Sequence, residues 1–209
     1  MLELMSEHHV IYVPGLGDAK MHGQALVVKL WRLFGMRGHV VPMWWATGKA
    51  LEPKLKRLLD KVDELVAAGH EVSLVGSSAG ASAVLLAFAQ RHSHISGVVC
   101  ICGKIQHPET INPMYFKVNP AFKTALEELQ DVLPTLAPAV RYRIMSIHPL
   151  RDDQVPPADT IIRGAREKTI WTSGHVFSIA VALTLFAPSI MRFLKRQTIE
   201  LHREPETAL

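Results

Sequence analysis

Cysteine is nearly absent from this chain, 2 residues among 209, and that scarcity argues against two kinds of architecture. A disulfide scaffold needs several pairs, and a structural zinc site needs thiolates or imidazoles at short fixed spacings. Cys100 and Cys102 stand together in Gly97-Val98-Val99-Cys100-Ile101-Cys102-Gly103, with no second pair and no ordered histidine array near them. The segment reads as a buried strand, which puts both thiols on one face as small core side chains with poor geometry for bonding each other. No metal and no oxidising compartment are required.

Long apolar runs are also missing. The uncharged stretch Val176 to Met191, followed by Arg192, Lys195 and Arg196, falls short of the ~20 residues a bilayer demands and contains Ser178, Thr184, Pro188 and Ser189. It reads as a buried closing helix, broken or kinked near Pro188, with no stable membrane insertion. Met1 to His9 carries Glu3 and Glu7 and lacks the basic start and apolar core of a signal peptide, so a cytoplasmic location is the expectation. The net charge of +4 is spread over basic residues interleaved with acidic ones, a solvated surface rather than a nucleic-acid footprint. Internal repeats and low-complexity tracts are absent too. Gly15 and Gly17 are not followed by the Gly-Lys-Ser/Thr that a phosphate-binding loop uses, which excludes a P-loop enzyme. The length and ordinary composition suit one domain over 1–209.

What is present is a strand that turns straight into a helix at a serine. Glu71-Val72-Ser73-Leu74-Val75 is short, apolar and β-branched, and Ala81 to Gln90 is rich in Ala and Leu. Between them lies Gly76-Ser77-Ser78-Ala79-Gly80. Gly-x-Ser-x-Gly in that setting is a nucleophile elbow: the turn strains the backbone at Ser78, the flanking glycines let strand and helix pass closely, and the hydroxyl is held outward. The Ala79 N–H, at the start of the helix, points toward a developing negative charge and supplies half of an oxyanion hole.

Along the chain, strand and helix alternate. Strands are expected at His9 to Val13, from Val40 and Val41 to near Pro42-Met43-Trp44-Trp45, at the elbow, at the cysteine segment, at Arg141 to Ile147 and at Thr169 to Thr172. Helices are expected at Ala25 to Phe34, from Leu51 until Gly69 stops it, after the elbow, at Phe122 to Val132, at Asp159 to Ala165 and from Val176. This order predicts an α/β fold: a three-layer α/β/α sandwich around a mostly parallel sheet of about six strands, with ligands bound at the strands' carboxyl ends.

A serine needs a base, usually a histidine oriented by a carboxylate. His148-Pro149-Leu150-Arg151-Asp152-Asp153-Gln154-Val155-Pro156 follows a strand and resembles the acid loop of the α/β-hydrolase superfamily, where the aspartate stands three residues before a Val-Pro pair. That offset implies Asp152, with Asp153 as the fallback. Ser173-Gly174-His175 after the last strand resembles the family's base position and implies His175 among the 11 histidines. Pro14-Gly15-Leu16-Gly17 matches the family's His-Gly-x-Gly loop with proline in place of histidine, implying the Leu16 N–H as the second oxyanion donor.

The resemblance covers nearly the whole chain and implies a compact version lacking the family's first two strands, with a small cap-like excursion at 104–138. Substrate-pocket candidates are Trp44 and Trp45, which are as well explained by packing under the neighbouring loop, and His107 and Tyr115, which share the excursion with Met114 and Phe116. The function implied is a serine hydrolase of a small-molecule carboxylic ester or thioester that uses no cofactor. An acyltransferase with the same triad, or a binding protein on the same fold, is the alternative. No motif speaks to oligomeric state.

Overall fold

The computed structural model describes residues 6–203; the reading of Met1 to His9 as lacking a leader lies mostly outside them. Six strands, β1 (His8–Val13), β2 (Arg37–Val40), β3 (Glu71–Ser77), β4 (Ile95–Ile101), β5 (Ile144–Arg151) and β6 (Arg166–Ser173), form one sheet in the order β2-β1-β3-β4-β5-β6. Every pairing is parallel. The chain thus works outward from β1 in both directions, and the crevice between neighbouring crossovers opens at the carboxyl ends of the central strands.

Alternation along β1 shows how the layers arise. Ile11 and Val13 point into a core shared with α2 (Leu51–Ala67) and α3 (Gly80–Arg91), while Val10 and Tyr12 point into a second core on the opposite face. The second core is closed by α1 (His22–Leu30), α7 (His175–Leu183) and α8 (Ala187–Arg203). Between β4 and β5 lie three helices, α4 (Pro113–Val118), α5 (Pro120–Val132) and α6 (Pro138–Arg141). In the 104–138 excursion, α5 buries Ala121, Phe122, Ala125, Leu126 and Leu129 in the first core, so most of it belongs to the helical layer, whereas α4 has no buried residue.

Several boundaries differ from the sequence expectation, each for a local reason. β2 stops at Val40; Trp44 is left-handed at φ 54° and a 3-10 turn, Trp45–Thr47, follows. β5 begins later and runs through His148 and Pro149 to Arg151, because β6 on the sheet edge continues the ladder there, pairing Arg151 with Ser173. The helix expected at Asp159 to Ala165 is only a 3-10 turn, Pro157–Thr160. The closing helix is two, α7 and α8, bent by 62° just before Pro188. No single helix among the described residues is long and apolar enough to cross a membrane; that bent pair has the length and composition, and its Ile179, Leu183, Ile190, Met191 and Leu194 are buried against the sheet.

The two cysteines do not share a face. Cys100 is in the first core and Cys102 in the second, because Cys102 lies past the end of β4 at φ 49°, where the strand's alternation no longer holds. Both are free and buried, and burial pushes both thiols up.

Candidate active site

β3 ends at Ser77, α3 begins at Gly80, and the turn between them holds Ser78 at φ 50°, a conformation costly for any residue with a side chain. The elbow is tied down by the Ser78 N–H, which donates to the Ile101 carbonyl at 2.9 Å. The flanking glycines are compulsory: a Cβ on Gly76 would lie 2.5 Å from the Gly80 carbonyl oxygen, and one on Gly80 would strike the Val13 carbonyl of β1. Ser77 is sequestered, its hydroxyl 2.7 Å from the Tyr12 hydroxyl. Ala79 is the N-cap of α3, at the end where amide groups lack intrahelical acceptors. The loop after β1 lies directly over the elbow, so close that a Cβ on Gly15 would sit 2.9 Å from the Ser78 Cβ.

Because β5 and β6 are neighbours, the loops at their carboxyl ends meet. The Gly174 N–H donates to the Arg151 carbonyl at 2.9 Å, and His175 opens α7 beside the two aspartates. The His175 Nδ1 lies 2.8 Å and 3.1 Å from the two carboxylate oxygens of Asp152. Asp153 takes a different position, accepting from the His175 backbone N–H at 2.7 Å. The Asp152 side chain is fully enclosed. Burial alone pushes its carboxyl up, but hydrogen bonds from His175 and from the Val155 and Gln154 N–H groups together outweigh it, and the net direction is down. An ionised Asp152 keeps the proton on Nδ1, leaving Nε2 with a lone pair. That Nε2 is buried and has no hydrogen-bond partner.

Ser78 and His175 line the same cavity of about 600 Å³, with Pro14, Gly15, Leu16, Tyr115 and Gln154. A second cavity of about 380 Å³ shares Leu16, Ser78, Tyr115 and Gln154 and extends toward Phe122 and Val155. The serine therefore stands between two recesses. Of the other pocket candidates, Tyr115 lines both. Trp44, Trp45 and His107 line neither. Trp45 is wholly buried, its indole N–H donating to the Pro14 carbonyl at 3.2 Å and its ring edge-on to Phe122, which makes it a support beneath the Pro14 loop. Trp44 is turned outward and 42% exposed, and the exposed His107 is 3.1 Å from Glu109.

Sequence reasoning missed Gln154, which reaches both recesses, and the walls supplied by Val27 of α1, by Ile179 and Leu183 of α7 and by Thr184 just past its end. Their only signal was apolar helical spacing, which marks core and pocket alike. It also missed Lys104, buried and paired with Asp159, its amino group 2.7 Å from the Thr110 hydroxyl at the floor of the second recess. Cys102 is near enough to Asp152 and His175 for the three to group around an ion. Burial first and the Asp152 charge second push its thiol up to about 12, so it stays protonated and neutral.

No family model and no curated protein matches the chain. Solved structures do. Est1E from Butyrivibrio proteoclasticus aligns with a TM-score of 0.68 at 15% identity, over 93% of this chain and 89% of that one. Alpha/beta hydrolase domain-containing protein 10 from mouse gives 0.65 at 18%, over 90% of each chain. One of the metagenome-derived lipolytic enzymes LipS and LipT gives 0.62 at 15%, over 91% of this chain and 94% of that one.

Proposed function

We propose that this chain, whose fold is that of the α/β-hydrolases, is a serine hydrolase that cleaves a carboxylic ester or thioester through an acyl-enzyme. Ser78 attacks the carbonyl carbon as His175 Nε2 takes its proton. Asp152 holds the imidazole's orientation and stabilises the imidazolium, and the Leu16 and Ala79 N–H groups receive the oxyanion. The imidazolium then protonates the departing alkoxide or thiolate. Water deprotonated by the same imidazole releases the acid and restores Ser78. The two recesses either side of the serine suit an acyl and a leaving group, and the walls of Val27, Val176, Ile179 and Leu183 favour an apolar moiety in the larger one. The esterase and lipolytic names among the structural neighbours agree with this class.

The observation that carries the reading is the conjunction of a strained serine with a buried imidazole whose Nδ1 is bound to an enclosed carboxylate and whose Nε2 is unpartnered, both in one cavity. Fluorophosphonate labelling tests it. Wild-type and Ser77→Ala protein should label, and Ser78→Ala should not. Labelling that survives Ser78→Ala overturns the nucleophile. A panel of esters and thioesters of graded chain length, run with and without acceptor alcohols, then separates hydrolysis from acyl transfer.

A further inference from the structure

At the amino end of the sheet, three strands gather a second set of titratable groups that the proposed reaction does not use. Glu7 and His9 alternate onto one face at the start of β1. His70 immediately precedes β3, whose Glu71 pairs with His8, so His70 is brought beside Glu7. His39, on β2, completes the group: its Nε2 is 2.8 Å from the His9 Nδ1. The His9 ring is near-parallel to both others, inclined 17° to His39 at a centroid distance of 4.9 Å and 11° to His70 at 4.3 Å.

His9 is 5% exposed, and its Nε2 is buried with no hydrogen-bond partner. The nearest carboxylate oxygen, Glu7 Oε2, is 3.7 Å away, too far for a hydrogen bond. One donor atom each from Glu7, His9 and His70 lies within 4.8 Å of the others. We propose that Glu7, His9 and His70 form a binding site for a zinc-class divalent cation, with His39 holding His9 in the ligating tautomer.

The chemistry of the donors supports this. In the tautomer whose His9 Nδ1–H donates to His39 Nε2, the His9 Nε2 carries a bare lone pair aimed at a carboxylate. A cation between them removes that conflict. A 3.7 Å separation fits two ligands each about 2.0–2.2 Å from one ion. Imidazole–imidazole bonding from the far ring nitrogen is the kind of outer contact that orients a metal-bound histidine. Arg37 Nε, 2.9 Å from Glu7 Oε2, orients the carboxylate from the solvent side and is the cation a metal must share it with. The partly exposed His70, whose Nδ1 accepts only a 3.5 Å bond from the Glu7 N–H, would tip from its stack on His9 to present a lone pair to the ion. Two imidazoles and one carboxylate without thiolate suit Zn²⁺ and leave a fourth position for water. The site is at the far end of β1 from the Pro14 loop, ~20 Å along a strand of this length. It would tie β1 to the start of β3, with β2 joined through the His39 hydrogen bond, rather than act on substrate.

The test uses the full chain, stripped of metal by chelator dialysis and titrated with Zn²⁺ alone by calorimetry at neutral pH. Wild-type protein should bind one ion per chain, and Glu7→Gln and His70→Ala, both at partly exposed positions, should each weaken binding on the order of 10- to 100-fold. Far-UV circular dichroism checks that each variant is folded. Co²⁺ substitution should give the visible absorption of a low-coordinate site in wild type and lose it in His70→Ala. Asp152→Asn should bind as wild type does; loss there with retention in Glu7→Gln places the ion at the other group and overturns the proposal. So does absence of binding at millimolar zinc, or binding that neither Glu7→Gln nor His70→Ala diminishes. None of these readouts depends on the hydrolase reading.

Discussion

The two ends of the sheet each bury a histidine with an unpartnered Nε2, His175 at the carboxyl end and His9 at the amino end. What differs is the group on the other ring nitrogen. His175 Nδ1 faces an enclosed carboxylate at 2.8 Å, a partner that stabilises an imidazolium, whereas His9 Nδ1 faces another imidazole, which repels one. The second arrangement resists protonation of its ring. Identical side chains, both buried, thus meet a carboxylate at one end and an imidazole at the other, and only the neighbour distinguishes them.

The most severe way to break this contrast is to remove each imidazole. His175→Ala should lower ester turnover by at least ~10³-fold, as should Ser78→Ala, since members of such a unit act together. Glu7→Gln or His70→Ala at the other end should leave kcat within about twofold, provided the variant is folded. A comparable loss at both ends, read from steady-state kinetics, would remove the distinction between them.

Removing the carboxylate partner comes next. Asp152→Asn should cost on the order of 10³- to 10⁴-fold in kcat, because the amide no longer stabilises the imidazolium or enforces the tautomer. Asp153→Asn should cost far less, since that side chain binds the His175 backbone N–H and an amide oxygen can still accept. Equal losses would place the orienting acid elsewhere.

Proton linkage sharpens the comparison without touching catalysis. Burial, only partly opposed by Glu71, lowers His8, beside the amino-end cluster, to about 4, and His9 and His39 are also held low. Below the ordinary histidine value of ~6.5 the unfolded chain takes up protons that the folded chain refuses, so stability should fall as pH drops from there toward about 4. Asp152 is depressed, so its contribution is present above the ordinary carboxylate value of ~3.9 and is lost only as pH falls below it. Urea midpoints should therefore decline between pH 7 and 4, and His8→Gln should flatten that decline while Asp152→Asn should not.

The smallest effects are expected at the tryptophans. Trp44→Ala, outside both recesses and 42% exposed, should change turnover less than about twofold. Trp45→Phe should lower stability by ~1–3 kcal/mol, because the buried Pro14 carbonyl loses its donor. If Trp44→Ala instead shifts the acyl preference, the recess boundaries are drawn wrongly.

Much of this architecture could be read from the chain because its signals are local. Gly76 to Gly80 combines a strand ending, a turn and a helix start in adjacent residues, and the bend near Pro188 follows from proline's missing N–H. Asp152 and His175 were reachable because each lies just past a strand end in a fixed chain order. The amino-end cluster was invisible. Glu7, His9, His39 and His70 are scattered through the chain, and nothing in their spacing announces that three strands will pair in the order β2-β1-β3.

Amino-acid order by itself determined where strands turn into helices, which residues must be glycine, and which serine is held in strain, because backbone sterics act between neighbours a few residues apart. Tertiary structure alone decided that Asp153 takes the His175 backbone N–H, that Trp45 supports a loop while Trp44 faces solvent, and that Cys100 and Cys102 part to opposite cores. Those outcomes depend on strand register and on which side chain is enclosed, and such long-range pairing leaves no mark on local spacing.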